Sequence, residues 1–392
     1  MKQAVEALPE EKPVHDSRMT PRERFLTAIR NEQPDMVPVV PDISNMIPCR
    51  LTGKPFWDVY LFQNPPLWKA YIEAVKHFGF EGWSGWAPDI KFKKSPPIKP
   101  FPRKISKSSI VGGITIETPH GDLEMEVTFR RGDPPATSGY PLKDITRDLK
   151  KVRWLLKQIK DVGFENAQQR KDELGELGVV GIGVTVPGFQ GWVDFASLEN
   201  LTYWYYDHRE LIEELRELHH DAILKLTERI LDFKPDLIDI AASGSITLQS
   251  PTIFRELSLP TLKVITKLAK EAGVPTMMHS CGKARDLVKI CAEETDLNCI
   301  NPLERPPLGD CDLKEIKQKY GHRIALMGNL PTTTLMLNGT PEEVEKECIQ
   351  AIEDAAKGGG FILSTGDQCG RDTPFENIER MIQTARSYGR YM

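Results

Sequence analysis

From about residue 150 onward the chain repeats one unit: a short apolar run, then a stretch with helical spacing of its apolar residues. The runs are "VVGIGVTVPG", "PDLIDIAASG", "VPTMMHSCG", "LNCINPLE", "RIALMGNL" and "GGFILSTGD". Between them lie segments such as "DHRELIEELRELHHDAILKLTERILDF" and "TPEEVEKECIQAIEDAAKGG". Strands that are nearly continuously hydrophobic and alternate with helices require a parallel sheet covered on both faces. Two earlier runs, "DMVPVVPDIS" and "EGWSGWAPDI", bring the total to about eight strand-helix units, which predicts a (β/α)8 TIM barrel. A doubly wound sheet is the alternative, but neither Gly-x-Gly-x-x-Gly after a first strand nor Gly-x4-Gly-Lys-Ser/Thr occurs, so a nucleotide cofactor has no support.

The remainder of the chain fits around that frame. Residues 1–18 lack apolar periodicity and are expected to form a flexible tail, with the barrel occupying 19–392. In "MTPRERFLTAIRN", Thr20 can cap a helix, Pro21 suits its first position, and Phe25, Leu26 and Ile29 share a face. Residues 91–140 change character, with clustered prolines and β-branched alternation, and predict a β-hairpin insertion in the N-terminal half.

Composition narrows the function. A net charge of -5, from 51 basic and 56 acidic residues, with no basic stripe, argues against nucleic acid. No run approaches the roughly 20 apolar residues of a membrane span, and the polar N-terminus is unlike a signal peptide, so a cytoplasmic protein is expected. Seven cysteines without framework spacing suit a reducing compartment. Cys291, Cys299, Cys311 and Cys348 are read as small apolar fillers or surface thiols.

In a barrel of this kind chemistry sits at the C-terminal ends of the strands. The residues there are Asp89, Phe189, Gln190, Ser243, Ser245, His279, Cys281, Asn301, Glu304, Asn329, Asp367 and Cys369. His279 and Cys281 are two apart, so they point to one side of an extended backbone. Zinc accepts an imidazole nitrogen and a thiolate together, and a catalytic site needs a third protein ligand; Asp367 and Cys369 are the candidates, with Glu304 in reserve. A Cys-His nucleophilic pair is the competing chemistry. Trp83, Trp86, Phe189 and Trp192 are candidates for walling a pocket for a flat substrate, with Ser243 and Asn329 as further substrate contacts, although aromatic clusters are more often packing. His219 and His220, mid-helix, are read as a solvated or packing pair.

"SPTIFRELSLPTLKVITKLAKEAGVPTMMHSCG", "INPLE", "GHRIALMGNLPTTTLMLNGTPEEVEKECIQAI" and "GGGFILSTGDQCGRDTPFENIERMIQTARSYGRY" together resemble the uroporphyrinogen decarboxylase superfamily. The resemblance implies a (β/α)8 barrel and one of two chemistries. The decarboxylases carry an Arg-rich N-terminal motif that grips carboxylates; the comparable region here, "VPVVPDISNMIPCRLTGKPFWDVY", offers only Arg50. "WAPDI" resembles their Phe-Ser-Asp-Ile segment and would place Asp89 at the substrate.

The other branch, the corrinoid-linked methyltransferases, has a His-x-Cys zinc motif and a later cysteine on the last strand. His279 and Cys281 match the first part; counting back from Thr373-Pro374, the later cysteine falls on Asp367, with Cys369 two residues beyond. This branch implies Zn2+, a methyl group exchanged between a small molecule and the cobamide of a separate corrinoid protein, and Glu304 or Asp89 to handle a proton. An Asp ligand favours demethylation of a methoxylated, aromatic-type substrate over methylation of a thiol. The alternatives are a metal-free decarboxylase, with Arg50, Arg130 and Arg131 as clamps, and a non-catalytic small-ligand-binding barrel. The oligomeric state stays open, a homodimer being one option.

Overall fold

A computed structural model describes residues 19–391; the expected tail at 1–18 lies outside the described residues. Eight parallel strands form the barrel: β1 (Val39–Val40), β2 (Gly82–Trp86), β3 (Gly178–Val184), β4 (Leu237–Ala241), β5 (Thr276–His279), β6 (Cys299–Asn301), β7 (Ala325–Leu330) and β8 (Phe361–Thr365). They pair in chain order, and β1 returns to pair with β8 through Val39 opposite Leu363. Each apolar run named above carries one strand, so the expected (β/α)8 architecture is the one observed.

Strand parity divides the core. Val180, Ile182, Ile238, Ile240, Met278, Ile300, Leu326 and Leu363 meet the surrounding helices. Val179, Leu237, Met277, Cys299, Ala325, Met327 and Ile362 point inward and meet Phe25, Leu26 and Ile29. Those three residues belong to the helix Pro21–Ile29, which plugs the base of the barrel. Thr20 starts it as expected: its hydroxyl accepts from Glu23 N at 3.2 Å while the Glu23 carboxylate accepts from Thr20 N at 2.8 Å.

The barrel closes between β1 and β2 through one residue rather than a ladder. Glu81, fully buried, accepts from Val39 N at 2.9 Å, while its own N–H donates to Val39 O at 3.2 Å. Arg24 and Arg386 both donate to its Oε1 at 2.7 Å. A buried charge held by two guanidinium groups and a backbone donor is fully compensated.

The insertion is larger than a hairpin. Ile98–Ile105, Ser109–Ile116, Leu123–Arg130 and Ala136–Gly139 form a four-stranded antiparallel sheet. The proline-rich tract that looked irregular forms its first strand, an edge position where proline's missing N–H disrupts no ladder. The sheet rests on the loops after β1 and β8, through Phe56 N to Arg131 O at 2.8 Å and Arg371 Nη1 to Gly132 O at 2.8 Å. Among the described residues no helix is long and apolar enough to cross a membrane.

Candidate functional site

At the C-terminal mouth, β5 ends in His279, and Cys281 follows in the loop. Asp367 follows β8 across the barrel interior. Their ligand atoms, one per residue, all lie within 4.8 Å of one another. His279 Nε2 stands 3.9 Å from Asp367 Oδ1. Asp367 is held with φ at +116°, a region disfavoured for residues with a Cβ, and its carbonyl accepts from Thr365 Oγ1 at 2.7 Å. Strain of this kind persists where surrounding structure over-determines it, and it concentrates at functional sites.

The donor set fits a zinc ion. One nitrogen, one sulfur and one oxygen donor converge, and the ligand atoms of a tetrahedral zinc with bonds of about 2.0–2.3 Å stand about 3.3–3.8 Å apart, a small contraction from the spread observed. Burial pushes the Cys281 thiol up to about 11, with the Asp367 and Glu304 carboxylates adding to the shift and the Ser243 hydroxyl opposing it.

Cys369 stands apart from this cluster. It is fully buried, packs in the main core, and donates its backbone N–H to Asp42 O at 2.8 Å. Of the two candidates for a third ligand, the geometry brings Asp367 to His279 and Cys281. Glu304 is close behind: its carboxylate accepts from Gly282 N, and burial raises its pKa while His279 pulls it down.

A cavity of about 400 Å³ opens beside His279. Of the expected substrate contacts, Trp83 and Ser243 line it. The others do not. Trp86 faces outward against Phe164, because residues three apart on a strand fall on opposite faces. Phe189 and Trp192 pack in a second apolar cluster beneath the insertion, where Trp192 Nε1 donates to His219 Nδ1 at 3.0 Å. Burial accordingly pushes His219 down to about 4, which makes it a packing residue. Asn329 is fully buried and donates to Leu303 O at 2.9 Å. Asp89 is exposed on a separate strand, Asp89–Phe92, where Asn166 Nδ2 donates to it at 2.7 Å.

A family model described as uroporphyrinogen decarboxylase (URO-D) matches residues 110–388. The chain belongs to the uroporphyrinogen decarboxylase family. Within that family it is similar to proteins of both chemistries. It is 26% identical over 215 residues to a methylcobamide:CoM methyltransferase, MtaA, of Methanosarcina barkeri, covering 53% of this chain and 60% of that protein. A methylated-thiol–coenzyme M methyltransferase of Methanosarcina mazei is 25% identical over 195 residues, 49% of this chain and 48% of that one. The matches thus span about half to three-fifths of these methyltransferases' own lengths. A uroporphyrinogen decarboxylase of Rickettsia africae is 23% identical over 339 residues, 82% of this chain and 90% of that protein. Among solved structures, a methyltransferase from Methanosarcina mazei shares the fold, with a TM-score of 0.64, 19% identity, and coverage of 95% of this chain and 99% of that one.

Several cavity residues of this family member escaped the sequence reading. Asp42 follows β1, Asp239 lies mid-strand in β4, Trp68 and Tyr71 lie on the helix Leu67–Phe78, and Arg170 on the helix Glu165–Leu174. The two acids carried a signal: each follows directly on apolar residues of its run, Asp42 after Val39, Val40 and Pro41 and Asp239 between Ile238 and Ile240.

Proposed function

We propose that the chain is a zinc-dependent methyltransferase that moves a methyl group between a small molecule and the cobamide of a separate corrinoid protein. His279, Cys281 and Asp367 would hold the zinc. Three protein donors leave a fourth position for a substrate heteroatom. When bound, zinc supplies Lewis-acid stabilisation of negative charge on the oxygen or sulfur that parts with or accepts the methyl group.

The chain's own residues supply the remainder. The cavity beside His279 encloses the substrate, with Trp68, Tyr71 and Trp83 as aromatic wall, and limits water around the heteroatom. Glu304, protonated more readily than an ordinary carboxylic acid because of burial, is placed to pass a proton near the triad. An oxygen ligand in place of a second thiolate leaves more positive charge on the metal, which favours demethylation of a methoxylated substrate. The observation that carries this reading is the convergence of His279, Cys281 and Asp367 within 4.8 Å beside a cavity.

A decarboxylase reading draws support from the long match to the Rickettsia protein. None of the three arginines expected as its carboxylate clamps lines the cavity. Arg50 donates to Thr373 O at 2.7 Å and stacks on Phe375, and Arg130 and Arg131 are exposed on the insertion. The cavity lining sets one arginine, Arg170, against two acids, Asp42 and Asp239, a poor match to a polycarboxylate.

Elemental analysis of the purified protein tests the proposal. Near one zinc per chain is expected in wild type and in Cys369→Ala, with loss in His279→Ala and Asp367→Ala. Absence of zinc after reconstitution of wild type, or full retention in His279→Ala, rejects it.

A further inference from the structure

The cavity beside the triad is lined by a carboxylate that has an oxygen without a partner. Leu237, Asp239 and Ala241 alternate toward the barrel interior, and Ala241 stands opposite His279 in the strand register. Asp239 therefore lies one side-chain layer deeper than the triad, roughly 7 Å along the strand. Its Oδ1 is sealed from solvent and accepts no hydrogen bond, and it is Oδ2 that faces the space beside Gly85. A desolvated acceptor left unpaired carries a cost that a structure does not normally retain without use.

Three further observations surround it. Asp42 lines the same cavity and is buried, its Oδ1 accepting from Ser44 N at 3.1 Å and Ser44 Oγ at 2.8 Å. Trp83, also in the lining, has an indole N–H that is sealed and unpartnered as well. The way to Asp239 is held open by glycine: a Cβ on Gly85 would meet within 4 Å only Asp239 Oδ2, at 3.6 Å.

Charge sets what fits. Beyond His279, the cation in the lining is Arg170. Its Nη1 donates to Gly85 O at 2.9 Å, its guanidinium lies over Trp68 with 5.4 Å to the ring centroid, and it interacts with exposed Asp89. Its Nε is sealed and unpartnered. Arg170 is thus engaged with the rim, and the acids in the lining are the two carboxyl groups of Asp42 and Asp239, set among neutral polar groups such as Asn45, Ser84, Ser243 and Gln368. Burial pushes the Asp239 carboxyl up to about 7, the Asp42 charge adding to the shift and His279 opposing it, as expected of an acid whose partner is absent.

We infer that Asp239 is a substrate-binding, specificity-determining residue: it accepts a hydrogen bond from a hydroxyl or ammonium group of the methylated molecule, in a slot kept open by Gly85, and an anionic group is disfavoured at that place. The inference takes from the preceding reading that this cavity receives the methyl-bearing substrate. It adds a second functional group to that substrate, set away from the methylated heteroatom. A site built around an unpaired acceptor rejects the analogue that lacks the donor, because binding would leave the acceptor buried and unpaired.

Calorimetric titration with four one-ring probes tests it: 4-methoxyphenol, 4-methoxybenzylamine, anisole and 4-methoxybenzoate. Wild type is expected to bind one of the first two at least about tenfold more tightly than the last two. Whichever of the two binds better tells hydroxyl from ammonium. In Asp239→Asn the preference should shrink to less than about threefold, and Gly85→Val should abolish binding of all four. The inference is overturned if anisole matches both donor-bearing probes, if 4-methoxybenzoate binds best, if neither donor-bearing probe binds, or if the preference survives Asp239→Asn. Zinc content measured on the same samples separates the two failures. Zinc without donor preference rejects this inference and leaves the transferase reading; donor preference without zinc does the reverse.

Discussion

The two ends of the barrel treat buried charge in opposite ways. At the base, Glu81 is wholly buried and every contact is met: Arg24, Arg386 and Val39 N all donate to it, and Arg24 also donates to Asp35 at 2.7 Å. At the mouth, Asp239 Oδ1, Trp83 Nε1 and Asn301 Oδ1 are sealed and unpaired, and Asp367 is held at a strained φ. The residue types are much the same. What differs is whether the surroundings complete them, and that separates a group that holds the fold from one kept for a ligand.

The largest effect should come from the base. Glu81→Ala leaves the buried guanidinium of Arg24 and the half-buried one of Arg386 facing each other without their shared carboxylate, and is expected to cost about 3–5 kcal/mol in urea denaturation. Cys369→Ala removes a core sulfur at the mouth end and is expected to cost about 1 kcal/mol while zinc content stays at the wild-type level. Loss of zinc in that variant would move the third ligand away from Asp367. Asp239→Asn is expected to change stability by less than about 1 kcal/mol near pH 6 or to raise it, since an uncompensated carboxylate is removed. Equal costs for Glu81→Ala and Asp239→Asn would erase the contrast between the two ends.

The pH dependence sharpens the same contrast. The Asp239 carboxyl in the folded chain has its pKa raised to about 7 from an ordinary value of 3.8. Between those values the folded state holds a proton that the unfolded state has lost, so this group's contribution is full below the ordinary pKa and is lost as pH rises through about 7. Stability of the zinc-free protein, measured from pH 4 to 7.5, should therefore fall less steeply in Asp239→Asn than in wild type. Parallel curves would place the charged form of Asp239 in a more solvated setting. The smallest expected effect is that of Trp86→Phe on ligand binding, because that ring faces the helices; a change comparable to that of Trp83→Phe in the calorimetric titration would reverse the assignment of faces.

The legible parts of the sequence were those governed by local period. Apolar runs alternating with helical spacing specified the parallel barrel, and the capping box at Thr20 specified where the first helix starts. His279, Cys281 and Asp367 were legible because strand ends are a rule of this architecture. Cys369, two residues beyond Asp367, was indistinguishable from it by that rule, since which residue of a loop turns inward is decided by tertiary packing. Phe189 and Trp192 misled for a related reason: both follow a strand end, yet the second apolar cluster drew them in. The insertion's first strand was hidden by Pro100 and Pro102, which an edge position tolerates. Asp42 and Asp239 are hard to pick out because an apolar run suggests core throughout. An acid flanked by its apolar residues is the sign that one inward position is not filled with hydrocarbon.

The seam at Glu81 also sets the order in which the chain can complete itself during synthesis. β1 emerges early, but its ladder partner begins at Phe361 and the second guanidinium on Glu81 is that of Arg386. Segment 35–37 is likewise stitched to segment 389–391, through Val37 N to Gly389 O at 2.8 Å and Tyr391 N to Asp35 O at 3.3 Å. Ribosome-bound chains ending before residue 361 therefore carry an open curl of strands with an unclaimed edge. Closure is a late, long-range event, and the exposed edge until then is where a chaperone or a second nascent chain would compete.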